Sequence, residues 1–141
     1  MAEGKASGRC LCGGVSYTVD GPLRDVIVCH CNECQRSSGG QWHASAAWRD
    51  TVEIEDAGGK LAWYQSGPKS RRGFCRECGA SLFFDHDERD YLVVNAGNLE
   101  KPTGLKLARH IFTSEAGDYY DVPDDAEHFE AYPDILPMPE K

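Results

Sequence analysis

No run of this 141-residue chain approaches the roughly 20 uninterrupted apolar residues that a membrane-spanning helix requires. The start, Met1-Ala2-Glu3-Gly4-Lys5-Ala6-Ser7-Gly8, has no apolar core of the kind a secretory leader carries. No membrane partner and a cytoplasmic location are therefore expected. Positive charge is also scarce. Fifteen Lys and Arg stand against 23 Asp and Glu, for a net charge of −8, and the longest basic cluster is Lys69-Ser70-Arg71-Arg72. A nucleic-acid binder needs a basic footprint that this chain lacks, so DNA and RNA are excluded as expected partners. There is no internal repeat and no low-complexity block, and helical periodicity is hard to find.

What is present is strand-like. Short β-branched or aromatic runs are separated by Gly, Pro and Asp turns, giving candidate strands at 14–19, 25–29, 41–48, 51–55, 61–65, 71–75, 81–85, 91–96 and 105–112. In 41–48, alternation puts Trp42, Ala44, Ala46 and Trp48 on one face and His43, Ser45 and Ala47 on the other, predicting one packed and one wetter side. The fold class is mainly β with few short helices. The expected organisation is a flexible start at 1–7, one β domain over 8–132, and a tail at 133–141. The acidic, proline-containing stretch from 118 onward is anchored by Tyr119, Tyr120, Phe129 and Tyr132, which predicts a segment that wraps over the domain.

The seven cysteines all fall in clusters: Cys10-Leu11-Cys12, Cys29-His30-Cys31-Asn32-Glu33-Cys34, and Cys75-Arg76-Glu77-Cys78. In a reducing compartment, close-set cysteines hold metal more often than they form disulfides. A two-residue gap followed by Gly79 lets a tight turn aim Cys75 and Cys78 at one ion. Cys10 and Cys12, at i and i+2, leave an extended chain on the same side. The two pairs complete a four-thiolate tetrahedron that ties distant segments together, a closed structural site for zinc, although iron suits the same ligands.

Cys29, Cys31 and Cys34 supply three thiolates and have no fourth cysteine. Three protein ligands plus an open position distinguish catalytic from structural zinc. His43, His86 and His110 are candidates for a fourth ligand that would close the site, while alternation turns His30 away from the Cys29/Cys31 face. Three thiolates on a zinc dication leave a formal charge of −1. Such a centre is a weak Lewis acid and takes a soft thiolate more readily than it makes hydroxide. The following turn, Gln35-Arg36-Ser37-Ser38-Gly39-Gly40, places Arg36 and Ser38 as candidates to steady a substrate's polar groups.

Together these residues resemble the glutathione-dependent formaldehyde-activating enzyme family. The resemblance runs from Gly8-x-Cys10-x-Cys12-Gly13-x-Val15, through Cys29-His30-Cys31-x-x-Cys34-Gln35-Arg36-x-Ser38-Gly39, to Gly73-Phe74-Cys75-x-x-Cys78-Gly79, and more weakly through Gly97 and His110-Ile111-Phe112. It implies several short coiled antiparallel sheets with a zinc-ribbon-like element. It also implies one zinc on Cys10, Cys12, Cys75 and Cys78, a second on Cys29, Cys31 and Cys34, and a carbon–sulfur lyase reaction on glutathione and formaldehyde, through S-hydroxymethylglutathione. The family's usual tryptophan near the C-terminal region is replaced here by Tyr119 or Tyr120.

The function expected is a zinc-dependent carbon–sulfur lyase acting on a small thiol and its aldehyde adduct. The alternatives are hydrolysis of an imine or carbonyl by zinc-bound water, and a non-catalytic zinc-stabilised binding module. A net negative protein gives anionic glutathione no long-range attraction, so local cations among Arg36, Arg71, Arg72 and Arg109 must serve. The sequence also allows a homo-oligomer.

Overall fold

Short runs of Val, Ile, Phe, Tyr and Trp between turn residues pair into two sheets in the computed structural model, which describes residues 5–133 and 136–141. The strands are β1 (Lys5–Arg9), β2 (Ser16–Asp20), β3 (Val26–Cys29), β4 (Trp42–Trp48), β5 (Val52–Glu55), β6 (Leu61–Gln65), β7 (Ser70–Cys75), β8 (Ser81–His86), β9 (Tyr91–Asn95), β10 (Leu107–Ile111) and β11 (Glu127–His128). One α-helix, α1 (Asn32–Ser38), follows β3.

The smaller sheet has the order β1-β2-β5, and the larger β11-β10-β3-β4-β9-β8-β7-β6. The mainly β class is as the sequence predicts. Most pairings are antiparallel, but β10 runs parallel to both β3 and β11. The chain between β3 and β10 carries β4 to β9, a long connection of the kind a parallel pairing requires.

Three local expectations are corrected. Residues 5–7 belong to β1 and pair with β2, Ala6 opposite Val19 and Ser7 opposite Thr18, so order begins earlier than the flexible start suggested. Gly8 permits that pairing, since a Cβ there would stand 2.4 Å from the ring of its partner Tyr17. In β4 the supposedly wetter face is buried as well, because the strand lies inside the large sheet: Ala47 joins the core, and Ser45 donates to Arg24 O at 2.7 Å. The third correction is the turn after Cys34, which is the second half of α1. Cys31 caps its start by accepting the Cys34 N–H, and Gly39, at φ 87°, ends it.

The large sheet is covered on both faces. On one, Tyr17, Val19, Ala47, Phe83, Leu92 and Val94 form a core with the small sheet. On the other, Ile27, Trp42, Ala46, Val93 and Ile111 lie under α1 and a C-terminal segment that contributes Phe129, Leu136 and Met138. That segment wraps as the sequence predicts: Trp48 Nε1 donates to Pro139 O at 2.9 Å, and the Phe112 and Tyr132 rings lie 6.2 Å apart.

Candidate metal centre and adjoining cavity

Two turns build the first cluster. Gly13 and Gly79, each at φ +78°, take the left-handed conformation that lets the chain fold back behind the cysteine pair, and each donates its N–H to the carbonyl of the leading cysteine, Cys10 or Cys75. The two turns meet: Cys12 Sγ lies 3.6 Å from Cys10 Sγ and 3.7 Å from Cys75 Sγ, and the sulfurs of Cys10, Cys12, Cys75 and Cys78 all lie within 4.8 Å of one another. Zinc–sulfur bonds of about 2.3 Å in a tetrahedron place sulfurs about 3.8 Å apart, so the set fits such an ion. Val15 and Gly14 donate backbone N–H groups to the sulfurs of Cys10 and Cys12. The N–H groups of Cys12 and Ala80 push the Cys78 thiol down to about 6. Thiolate-stabilising amides of this kind suit a metal site.

The second cluster stands at the end of β3 and the start of α1. Cys29, Cys31 and Cys34 also lie within 4.8 Å of one another, with no fourth Cys, His, Asp or Glu in the group among the described residues. Hydrogen bonds from the Cys29 and Cys34 side chains hold Cys31 well below the usual thiol range, and the same sharing pushes Cys29 up.

Sheet register decides the fate of the candidate histidines. His43 and His110 both sit opposite Val28, while Trp42 and Ile111 sit opposite Cys29. Side chains alternate across a sheet, so these histidines occupy the face opposite the thiolates. His110 joins a buried chain instead: Tyr120 Oη to His30 Nδ1 at 2.8 Å, His30 Nε2 to His110 Nδ1 at 2.9 Å, and His110 Nε2 to Asp125 Oδ1 at 2.7 Å. Donation running from Tyr120 to Asp125 satisfies every member with both rings neutral. Burial and the nearby His110 push His30 down to about 4, consistent with that state. His86 accepts the Glu88 N–H with Nδ1 at the end of β8, away from the cluster.

A cavity of about 290 Å³ opens against the three cysteines. Its apolar walls include Ile27, Ala44, Phe84, Val93, Ile111 and Leu136. Phe112 lines it from a left-handed backbone, φ 55°, an uncommon conformation for a bulky residue and one that clusters at functional sites.

The cation at the thiolates is Arg72 rather than Arg36. Arg72 Nη2 lies 3.4 Å from Cys34 Sγ and 2.6 Å from Glu33 Oε2, while its Nη1 is buried without a partner among the described residues. Arg36 is exposed on α1 and does not line the cavity; Ser38 Oγ donates to Cys34 O at 2.7 Å and to Gly40 O at 2.9 Å, at the helix end. Of the other cations named from sequence, Arg71 is paired with Asp85 and Arg109 with Glu127. Reading along the chain missed Glu33 and Arg24, which line the cavity. Arg72 stood out only as one local cation among four, because β7 approaches α1 only after the sheet has formed.

The fold and site define a β protein with two separate thiolate clusters able to hold metal, one closed and one facing a cavity. The model of the family described as "Glutathione-dependent formaldehyde-activating enzyme" matches residues 5–115, and the chain belongs to that family. Among solved structures, the chain is similar to a Rhodobacter sphaeroides protein at 27% identity and a TM-score of 0.57, over 70% of this chain and 91% of that one. Among curated proteins none matches. No described helix is long and apolar enough to cross a membrane.

Proposed function

We propose that the protein is a zinc-dependent carbon–sulfur lyase of a reducing, cytoplasmic compartment, acting on a small thiol and its aldehyde adduct. The observation that carries this reading is the second cluster: three thiolates, no fourth ligand among the described residues, and a cavity where that ligand would stand. Cys29, Cys31 and Cys34 would hold the ion, which when bound supplies a soft Lewis acid suited to sulfur. Cys10, Cys12, Cys75 and Cys78 would hold a second ion that serves the fold.

The remaining chemistry belongs to the chain. In the adduct-forming direction, sulfur bonds to the carbonyl carbon and the thiol proton ends on the carbonyl oxygen; the lyase direction reverses both. Arg72 offsets the negative charge of the thiolates, and its unpartnered Nη1 is a donor for the oxygen on which charge develops. Glu33 accepts from both Nε and Nη2 of Arg72 and so fixes the plane of the guanidinium. The apolar walls exclude water from the reacting carbon.

The test is cobalt substitution together with turnover. Adding glutathione or a smaller thiol should change the sulfur-to-cobalt charge-transfer bands. Carbon-13 formaldehyde should pass into the S-hydroxymethyl adduct faster than without protein, by NMR. An unchanged spectrum at saturating thiol, with an imine or aldehyde still consumed, would overturn the proposal in favour of hydrolysis.

A further inference from the structure

Burying an arginine costs several kcal/mol, so a buried guanidinium is ordinarily matched by a carboxylate. Arg24, only 5% exposed, departs from this. It lines the same cavity as the three cysteines, and among the described residues its Nε has no partner and no carboxylate acts on it. Burial pushes the guanidinium down to about 10, which still leaves it charged at neutral pH. A second cation stands close by. Arg89 lines the cavity too, and the two guanidinia lie over one ring, Tyr91, at 5.8 and 5.7 Å from its centre. Arg89 also lies 5.3 Å from the Tyr132 centroid and is in no ion pair among the described residues. Aromatic faces stabilise cations partly but do not neutralise them.

We propose that Arg24 and Arg89 form a carboxylate seat in this cavity, so that the substrate carries a carboxylate separated by an apolar body from the group that meets Cys29, Cys31 and Cys34. This rests on the reading of the cavity as the substrate site. Arg24 and Cys29 are five residues apart, and β3 begins only at Val26, so their Cα atoms are separated by at most about 16 Å. Ile27, Ala44 and Val93 give the cavity apolar walls, with Glu33, Ser70 and Arg72 among its other polar groups. A hydrocarbon or aromatic frame suits those walls. A free inorganic anion lacks the frame that would bury those walls. The Arg fork accommodates a carboxylate in two parallel hydrogen bonds.

The test uses the zinc-loaded full chain and a probe without sulfur, so that it does not depend on thiol chemistry. By calorimetry, 4-phenylbutyrate should bind roughly tenfold or more tightly than the neutral 4-phenylbutanamide, as expected of charge-assisted hydrogen bonds. Arg24→Met and Arg89→Gln should each reduce that preference, and Arg24→Met should melt at or above the wild-type temperature because an unpaired buried charge is gone. Phenylbutyrate should also compete with the thiol substrate in the turnover assay. Equal binding of acid and amide, retention of the preference in both variants, displacement of phenylbutyrate by equimolar inorganic phosphate, or a lowered melting temperature with binding intact in Arg24→Met would each overturn the seat. Binding without competition would remove it from the substrate path. Absence of thiol turnover with the acid preference intact would refute the lyase reaction and leave the seat standing.

Discussion

Cys12 and Cys78 are the sulfurs of the closed cluster that face outward, Cys12 exposed and Cys78 half-buried, whereas Cys10 and Cys75 are buried. Replacing the outer two by serine removes the four-thiolate site while leaving the buried packing of Cys10 and Cys75 intact. The loss can be worked from the loop the metal closes. Cys12 and Cys75 are 63 residues apart with their sulfurs at 3.7 Å, and a cross-link closing a loop of that length constrains the unfolded chain by about 4 kcal/mol on the chain-entropy model. The same arithmetic for the loop from Cys29 to Cys34 gives only about 2 kcal/mol. Cys12→Ser/Cys78→Ser should therefore lower the melting temperature by roughly 10 °C, at 2–4 °C per kcal/mol for a chain of this size, and should lose one zinc per chain. The assay is calorimetric melting paired with zinc quantification of the same sample. A double variant that melts within about 2 °C of wild type and retains full zinc content would refute both the ligand set and the cross-link reasoning.

Cys31→Ser should leave the fold within about 2 kcal/mol of wild type by melting while abolishing turnover; unfolding comparable to the double variant would make the second cluster structural as well. Arg72→Met should leave Glu33 unpaired, weaken retention of the second ion on dialysis against a chelator, and lower kcat more than it raises KM, the signature of a group acting on developing charge. Tyr120→Phe removes the donor to His30 Nδ1 and should cost about 1 kcal/mol by urea unfolding, without altering zinc content. Gly79→Ala places a side chain at φ +78° and should cost about 1 kcal/mol or more, with slower zinc uptake by the apo protein in a chromophoric chelator assay.

The sequence by itself determined strands β2 to β10 and the cysteine groups, while β1 and β11 lie outside the runs it marks. Periodicity of two is written into each strand locally, and β6 spans Leu61–Gln65 as the pattern predicts. The spacing Cys75-x-x-Cys78-Gly79 specifies a turn that aims two sulfurs one way, whatever surrounds it. The short helix α1 was hidden because seven residues are too few to show an amphipathic repeat, and its signals are a cysteine cap and a glycine stop. Tertiary structure decided everything that depends on which segments meet. Register alone put His43 and His110 across the sheet from the thiolates, since a shift of one residue would reverse the face. Packing of β7 against α1 chose Arg72 over Arg36, two residues of helix, about 200°, having turned Arg36 away from the side of Cys34. Arg24 gave no local signal, being a lone arginine beside a strand. Its meaning comes from burial without a counter-charge among the described residues, which exists only once the sheet and the C-terminal segment have closed over it.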